Sequence, residues 1–347
     1  MSSTLSLDAG PSDSWRRALA PYARASVDRG LLDLATSVVP FLLLMAAMVA
    51  LVPVAYPLAL VLAIPAAAFQ LRTFIVFHDC AHGSFLPSRR ANQWLGRALG
   101  VTVWTPFGAW RHSHAMHHAS AGDLDRRGDG DVRTMTVAEY RAAAWHARLG
   151  YRLFRHPAVM FTLGPLYAMV LKPRLPSWSG RRRIRDSVLL NDLALALVAA
   201  AFCLLFGWQT LLLVQLPMVV LTGGAGVWLF FVQHQFEDAY WESGDRWSYA
   251  DAALRGSSYL KLPQPLQFFS GNIGLHHVHH LSARIPNYNL QAAHDDNEVF
   301  RSVPVLTLRQ GIRATRLKLW DEGANRLVTF AQARAGVRRS PAVRSRA

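Results

Sequence analysis

Cysteine is nearly absent from this sequence. The chain of 347 residues contains two cysteines, Cys80 and Cys203. Two isolated thiols cannot build a disulfide framework or a thiolate metal site. The sequence also lacks a Cys-x-x-Cys-His segment, a Gly-x-Gly-x-x-Gly after a strand and a His-Pro-Gly-Gly segment. We therefore expect no haem or dinucleotide bound by the chain itself, and any reducing electrons must come from another polypeptide.

Charge is missing from two long segments. Leu34 to Leu71 and Leu193 to Phe236 contain no Asp, Glu, Lys or Arg over 38 and 44 residues. One membrane crossing needs about 20 apolar residues, so each segment predicts two helices joined by a tight turn. The expected crossings are 32–52, 55–77, 188–207 and 210–232. The fold class that follows is an all-α integral membrane protein with four transmembrane helices arranged as two hairpins.

The net charge of +15 would suggest nucleic-acid binding in a soluble protein, but its distribution argues otherwise. Eighteen Lys and Arg lie between Arg72 and Arg185, whereas both hairpin turns are uncharged. The positive-inside rule then places this segment and both termini in the cytoplasm. We expect a multi-pass protein of a bacterial inner membrane with no nucleic-acid partner. The polar first thirty residues predict no cleavable signal peptide.

The sequence predicts one membrane domain with flanking arms. We assign 1–30 to a cytosolic N-terminal arm, 31–298 to the membrane domain, 299–331 to amphipathic basic helices and 332–347 to a disordered tail. The apolar segments Trp94 to Trp110 and Pro157 to Leu171 are expected to be interfacial or re-entrant, since the second is short and has basic residues at both ends. Pro304 to Trp320 predicts a basic helix that lies either on anionic lipid or in solvent.

Histidine is concentrated in three short stretches. Ten of the fourteen histidines fall within His78 to His82, His112 to His118 and His276 to His280. Eight of them follow helical spacing of three or four residues, so each stretch presents its imidazoles on one helical face. These eight are His78, His82, His114, His117, His118, His276, His279 and His280. Because the charge distribution puts all three stretches on one side of the membrane, they can converge on one site.

Eight imidazoles without a thiolate suit iron, zinc, copper or nickel, and they exceed what a single ion can use. Two metal ions are therefore predicted. His112 and His277 lie off the shared faces, so we expect them to form hydrogen bonds rather than to bind metal. His146, His156 and His294 follow no pattern and receive no role.

The sequence resembles the membrane fatty-acid desaturase family at this point. The family pattern of His-x-x-x-His followed by two His-x-x-His-His boxes is reproduced in order, with a membrane hairpin between the second and third boxes. HDCAHGSFL from His78, QHQFEDAYWE from Gln233 and GNIGLHHVHHLSARIPNYNL from Gly271 are similar to stretches of bacterial acyl-lipid desaturases. The resemblance covers about Leu31 to Asn297. His112 departs from the pattern and is not assigned as a ligand.

The resemblance implies an oxygen-dependent desaturase in which two iron ions lie under a cytosolic helical cap. An unactivated methylene has no acidic proton and no leaving group, so side chains alone cannot attack it. The implied substrate is the acyl chain of a membrane lipid, held in a hydrophobic tunnel beside the irons. The implied electron donor is a ferredoxin, a flavodoxin or a cytochrome. The sequence does not indicate an oligomeric state.

Two further residues are candidates near the metals. His234 lies at the cytoplasmic end of the fourth crossing, within the QHQFE segment, and is predicted to be a ninth ligand. The alternative for His234 is an interfacial histidine that contacts lipid headgroups. Asp79 is expected to accept the free N–H of a ligating imidazole. The alternative for Asp79 is a solvated carboxylate at a helix end.

Two other functions fit parts of the sequence. A hydroxylase or carotenoid ketolase could use the same iron centre and return oxygen to the carbon instead of removing a second hydrogen. A metal transporter could use the histidines for metal capture, but it would need polar groups along its membrane helices. The two uncharged runs offer only a few glutamines and scattered Ser and Thr for such a path.

Overall fold

The computed structural model describes residues 12–128, 132–175 and 181–339, and most of these are helical. The helices, in chain order, are α1 Ser12–Leu19, α2 Val27–Leu51, α3 Tyr56–His82, α4 Arg89–Thr102, α5 Phe107–Ser120, α6 Val137–Ala142, α7 Trp145–Phe154, α8 Arg182–Phe206, α9 Trp208–His234, α10 Tyr249–Leu254, α11 Gln264–Phe269, α12 His276–Leu281, α13 Leu290–Asp295, α14 Leu308–Ala314 and α15 Phe330–Arg339. The strands are β1 Met135–Thr136, β2 Tyr259–Lys261, β3 Val305–Thr307, β4 Leu319–Asp321 and β5 Arg326–Val328.

Four helices of the described residues are long and apolar enough to span a membrane. These are α2, α3, α8 and α9. Each has 25 to 27 residues, and the mean hydropathy of its most apolar 18 residues is 1.8 to 2.3. At about 1.5 Å per residue each exceeds the thickness of a bilayer core. The predicted four-helix membrane architecture is confirmed. Helix α8 begins at Arg182, earlier than the predicted residue 188, because the helix continues through its basic N-terminal residues.

Tight turns join the helices into two hairpins. Pro57 occupies the first turn of α3, where its missing N–H costs no hydrogen bond. Gly207 alone separates α8 from α9 and has a φ of +84°, a value that favours glycine. Both hairpins therefore return the chain to the side from which it entered, and the ends of α3 and α9 lie on the same side.

Small residues allow the helices to pack closely. Ala59, Ala63 and Ala66 on α3 are fully buried against Phe41 of α2 and Met218 of α9. Many leucines on the opposite faces are exposed, as expected for helix surfaces that contact lipid. The packed interior thus fixes the relative positions of the helix ends that carry histidines.

The cap on these helix ends contains two small sheets as well as helices. Strand β4 pairs in parallel with β1 and antiparallel with β5, and β2 pairs in parallel with β3. Short strands of this kind were not part of the all-α prediction. They tie the segment after α5 to the C-terminal part of the chain, so the cap behaves as one packed layer above the membrane helices.

The C-terminal segment differs from the predicted basic helices of 299–331. A helix forms only over Leu308–Ala314, and β3, β4 and β5 occupy much of the remainder. Leu319 and Trp320 are at most 2% exposed, so these apolar side chains fill the cap core instead of facing lipid. Two consecutive residues are buried in β4 and two in β5, so neither strand shows the alternation that would have marked it in the sequence.

The predicted disordered tail is also partly structured. Helix α15 covers 332–339, the first half of the predicted tail, and residues 340–347 lie outside the described part of the chain. Thr329 caps this helix, since its Oγ1 accepts the Gln332 N–H at 3.2 Å. Phe330 and Ala333 pack against Tyr151 of α7. These contacts supply the burial that the polar composition of the tail did not indicate.

The two short apolar segments both contact the spanning helices. The segment Trp94 to Trp110 contributes parts of α4 and α5, and Leu99 and Phe107 pack against Phe77 of α3. The segment Pro157 to Leu171 forms two wide helical turns, Val159–Leu163 and Leu166–Leu171, against α9. A Cβ on Gly223 would lie 2.6 Å from Pro165, so glycine permits this approach. This contact agrees with a re-entrant segment.

Candidate metal centre

The first histidine box lies at the C-terminal end of α3. His78 and His82 are one helical turn apart, and Gly83 ends the helix in the left-handed conformation with a φ of +70°. Both imidazoles therefore point to the same side of α3, next to the cap. His78 is buried, and His82 is partly buried.

The second and third boxes lie on short helices of the cap. On α5, His114 and His117 are buried and His118 is partly buried. On α12, all six residues are buried, including its four histidines. Because α12 has only six residues and all of them are buried within the cap, packing rather than helix length fixes its position. Val278 and Leu281 on this helix belong to the main core of the cap.

The predicted imidazoles converge into two groups, each with ligand nitrogens within 4.8 Å of one another. The five-histidine group contains His78, His82, His114, His118 and His279, and the four-histidine group contains His117, His234, His276 and His280. The groups adjoin, since the rings of His118 and His280 stack with centroids 4.2 Å apart. All nine predicted ligands are thus brought together.

The division into five and four agrees with nine imidazoles shared by two metals, but His234 belongs to the smaller group. The expectation is four box histidines for each metal, with His234 as the fifth ligand of one of them. Instead the boxes contribute five imidazoles to one group and three to the other, and His234 is the fourth member of the smaller group. The reason is that His117 and His118 are neighbours on α5 and point toward different groups.

The spacing of the nitrogens fits right-angle coordination. In the five-histidine group, His114 Nε2 lies 3.0 Å from His78 Nε2 and 3.1 Å from His118 Nε2. In the four-histidine group, His234 Nε2 lies 2.9 Å from His276 Nε2. Metal–nitrogen bonds of about 2.1 Å put neighbouring ligands about 3.0 Å apart at right angles but about 3.4 Å apart in a tetrahedron. Distances of 2.9 to 3.1 Å match neighbouring ligands at right angles, whereas the 3.2 Å between His117 Nε2 and His280 Nε2 lies between the two geometries.

Burial keeps the cap imidazoles in the neutral form that binds metal. Burial first, and neighbouring imidazoles second, hold the pKa of five of them well below the usual value. These five are His114, His118, His276, His279 and His280. A neutral imidazole offers a lone pair at neutral pH without first losing a proton.

Some outer nitrogens of the imidazoles have fixed partners. Asp79 Oδ1 lies 2.9 Å from His78 Nδ1, and Asp79 Oδ2 accepts the backbone N–H of Asn287 at 2.6 Å. His234 Nδ1 lies 3.2 Å from the carbonyl oxygen of Gly256. An Nδ1–H donated to an oxygen leaves Nε2 as the acceptor that faces the group. Asp79 is 2% exposed, so its expected contact with an imidazole is present and the solvated alternative is wrong.

The nitrogen sets fit the metal ions that the sequence predicts. His82 Nε2 is buried and has no hydrogen-bond partner among the described residues, although it points into the five-histidine group. The other Nε2 atoms face one another at distances where neutral acceptors gain little without a cation between them. Neutral nitrogen donors of this number suit iron or another first-row transition metal.

The remaining histidines do not join either group. His112, His146 and His156 are exposed. His277 is fully buried, and its Nε2 atom lies 2.9 Å from the Nδ1 atom of His294. Burial and then the neighbouring His294 lower the pKa of His277 to about 3. The predicted hydrogen bond of His277 is confirmed, and His294 gains a partner that the sequence did not reveal.

Sequence reasoning missed Arg155 as a residue that supports the site. Arg155 is completely buried, and its guanidinium donates to Gln235 Oε1 at 2.9 Å and to Thr134 Oγ1 at 3.1 Å. Gln235 directly follows His234, so this contact fixes the end of α9. No sequence pattern marked Arg155, because it looked like one more basic residue beside a membrane segment.

Comparison with known proteins places these features in a family. A family model described as fatty acid desaturase matches residues 51–303. The chain is 45% identical over 312 residues to a fatty acid desaturase of Bacillus subtilis (strain 168), and the match covers 90% of this chain and 89% of that protein.

Two cyanobacterial proteins from a Synechocystis species are more distant. Identity to the sn-1 acyl-lipid omega-3 desaturase (ferredoxin) is 30% over 235 residues, which covers 63% of this chain and 62% of that protein. Identity to the sn-1 oleoyl-lipid 12-desaturase is 27% over 224 residues, which covers 64% of this chain and 63% of that protein. The similarity to acyl-lipid desaturases that the motifs indicated is confirmed.

Proposed function

The chain belongs to the fatty acid desaturase family, and on that premise we propose that it inserts a double bond into the acyl chain of a membrane lipid at two iron ions. It is an integral membrane oxidoreductase, with oxygen as the co-substrate. The observation that carries the proposal is the pair of adjacent imidazole groups, with five and four nitrogens, beside the ends of the spanning helices.

Each imidazole group would hold one iron. The ligands of the first would be His78, His82, His114, His118 and His279, and those of the second His117, His234, His276 and His280. When bound, the irons supply the oxidising chemistry with oxygen that an unactivated methylene requires. The acyl chain would give up two protons and two electrons, a carrier would supply two more electrons, solvent would supply two more protons, and one O2 would be reduced to two waters.

The protein residues would fix the ligands and exclude solvent. Asp79 and the carbonyl of Gly256 would hold the rings of His78 and His234 in one orientation and one tautomer. Five of the nine proposed ligands are below 5% exposed, and burial keeps bulk water from the reacting carbon. Orientation of the acyl chain against these fixed groups would select the carbon pair.

We propose a small electron-transfer protein as the partner and the cytoplasmic side of a bacterial inner membrane as the location of the centre and both termini. One relative carries ferredoxin in its name, which favours ferredoxin over flavodoxin or cytochrome as the donor. The excess of Lys and Arg outside the spanning helices supports the cytoplasmic assignment and would attract an acidic carrier.

Lipid analysis of an expressing host tests the proposed reaction. Fatty acids from cells that express the wild-type chain should contain a new double bond by gas chromatography and mass spectrometry, and His82→Ala should abolish it. His146→Ala, which changes an exposed histidine outside both groups, serves as the matched control and should retain the product. A hydroxyl product would establish the hydroxylase alternative, and an unchanged lipid profile would reject the proposed reaction.

A further inference from the structure

A large cavity opens beside the five-histidine group and is lined by four arginines. Its volume is about 660 Å³, and it is bounded by the chain before α2, the end of α3 and the start of α4. We call it the arginine cleft after Arg24, Arg89, Arg111 and Arg284, which line it together with His82. No Asp or Glu of the described residues lines it.

The four arginines are not neutralised by the protein. Elsewhere in the described residues arginines pair with carboxylates, as Arg127 does with Glu139 and Arg246 with Glu242. None of the cleft arginines forms an ion pair with a described residue. Like charges around one cavity repel one another, so an anion in the cleft would relieve their repulsion.

Two of the four cleft arginines lie on or just after helices that carry proposed metal ligands. Arg111 precedes His114 by three residues on α5, and Arg284 follows His280 by four residues. Cys80 and Ala81, the residues just before His82, also line the cavity. A group bound in the cleft is therefore held on the His82 side of the five-histidine group, at a distance fixed by α3 and α5.

We infer that the arginine cleft binds the phosphate of the acyl donor, an inference that rests on the proposed desaturase function. One guanidinium group can donate two parallel hydrogen bonds to two oxygens of a phosphate. A phosphate has more acceptor oxygens than a carboxylate, so it can bind several arginines at once. The cavity is also far larger than the carboxylate of a free fatty acid. Phospholipids and acyl-coenzyme A both carry phosphate on the carboxyl side of an acyl chain, joined to it by glycerol in the first and by the longer pantetheine arm in the second.

This anchoring has a consequence for the position of the double bond. The phosphate lies at the carboxyl end of the acyl chain in both donors. With the phosphate held beside His82, the linker of constant length between phosphate and carboxyl carbon fixes the carboxyl end, so the carbons that reach the metals are counted from that end. Lengthening the chain extends only the methyl end, so the double bond keeps its number from the carboxyl carbon.

Kinetics of the iron-loaded full chain test the cleft. The substrates are palmitoyl phosphatidylglycerol in nanodiscs, palmitoyl-coenzyme A and neutral dipalmitoylglycerol, with one reduced donor throughout. Arg89→Gln combined with Arg111→Gln should raise KM for the phosphate-bearing substrate at least about tenfold, the effect of 1.4 kcal/mol. Its kcat, its iron content and its rate with the neutral lipid should change little. Arg90→Gln, an exposed neighbour on α4 outside the cleft, is the matched control.

Each result separates the inference from the proposed function. Activity on phosphatidylglycerol or on acyl-coenzyme A identifies the source of the phosphate. An unchanged KM in the double variant, or a raised KM for the electron donor instead of the acyl substrate, overturns the phosphate site while desaturation stands. A wild-type chain that makes no double bond from any of the three substrates overturns the proposed function itself. Palmitoyl and stearoyl lipids with double bonds at different distances from the carboxyl carbon overturn the carboxyl-end anchoring.

Discussion

The Nε2 atom of His234 lies 2.9 Å from the Nε2 atom of His276, although 42 residues separate them and His234 belongs to none of the three histidine boxes. His234 is the last residue of α9, and its Nδ1 faces the carbonyl oxygen of Gly256. This arrangement completes the four-histidine group with an imidazole from a spanning helix. Without it, the three remaining nitrogens would all come from the cap.

Replacement of His234 should therefore remove iron from one group. In His234→Ala we expect desaturation to fall to background and bound iron to fall toward half of the wild-type value, because three imidazoles bind more weakly than four. Inductively coupled plasma mass spectrometry of the purified chain measures the loss. His156→Ala changes an exposed histidine and should keep wild-type iron and activity. Normal iron and near-normal activity in His234→Ala would return this residue to a role at the membrane surface.

Asp79 should control the five-histidine group through His78. Its carboxylate bridges the His78 ring and the Asn287 backbone, so Asp79→Ala frees the ring and should lower iron affinity or activity about 10- to 100-fold. Asp79→Asn keeps an oxygen that can accept the N–H of the His78 ring, so its iron affinity or activity should fall less than that of Asp79→Ala. Iron titration and the Mössbauer spectrum of each variant give the measurement. Asp238→Asn, at an exposed carboxylate, is the control, and equal behaviour of all three variants would contradict a positioning role for Asp79.

The stability of the cap should depend on pH through Lys318. Burial, and then the charge of Arg155, lowers the pKa of Lys318 to about 8, below the usual 10.5. Between about pH 8 and 10.5 the unfolded chain therefore binds more protons at this residue, and the free energy of unfolding should rise with pH. Thermal unfolding in detergent should show this rise in the wild type and a smaller one in Lys318→Met. Identical pH slopes for the two proteins would contradict the shift.

Turnover should depend on a separate reductant and on salt. The chain carries +15 net charge, and an acidic donor would be steered to its basic cytosolic face. With reduced ferredoxin, kcat/KM for the donor should fall as ionic strength rises past about 0.1 M, where the Debye length is about 10 Å. A neutral chemical reductant should show little salt dependence. Turnover with oxygen and a nicotinamide cofactor alone would contradict the need for a carrier protein.

Much of the membrane architecture could be predicted because its signals are local. An uncharged run longer than one crossing requires a hairpin, and His-x-x-His-His spacing on a helix puts imidazoles on one face. The location of His234 at a helix end beside the other boxes followed from the same topology. None of these predictions needed knowledge of how the cap packs.

The cap could not be predicted in the same way, because long-range packing determines it. Leu319 and Trp320 looked like the apolar side of a basic helix, yet pairing with β1 and β5 buries them. The assignment of five box histidines to one group and three to the other depends on how α12 approaches α5, and no spacing within one box contains that information. Asn287 and Gly256 contribute backbone atoms, so their residue types gave no signal.

Iron analysis of the purified wild-type chain tests the central claim most directly. Chemical iron content combined with Mössbauer spectroscopy counts the irons and reports their coordination. The proposed centre predicts two irons per chain, each with nitrogen ligands and more than four neighbours, in a protein that converts a saturated lipid to an unsaturated one. A chain that desaturates with one metal, or that holds tetrahedral zinc in its histidine groups, would contradict the account.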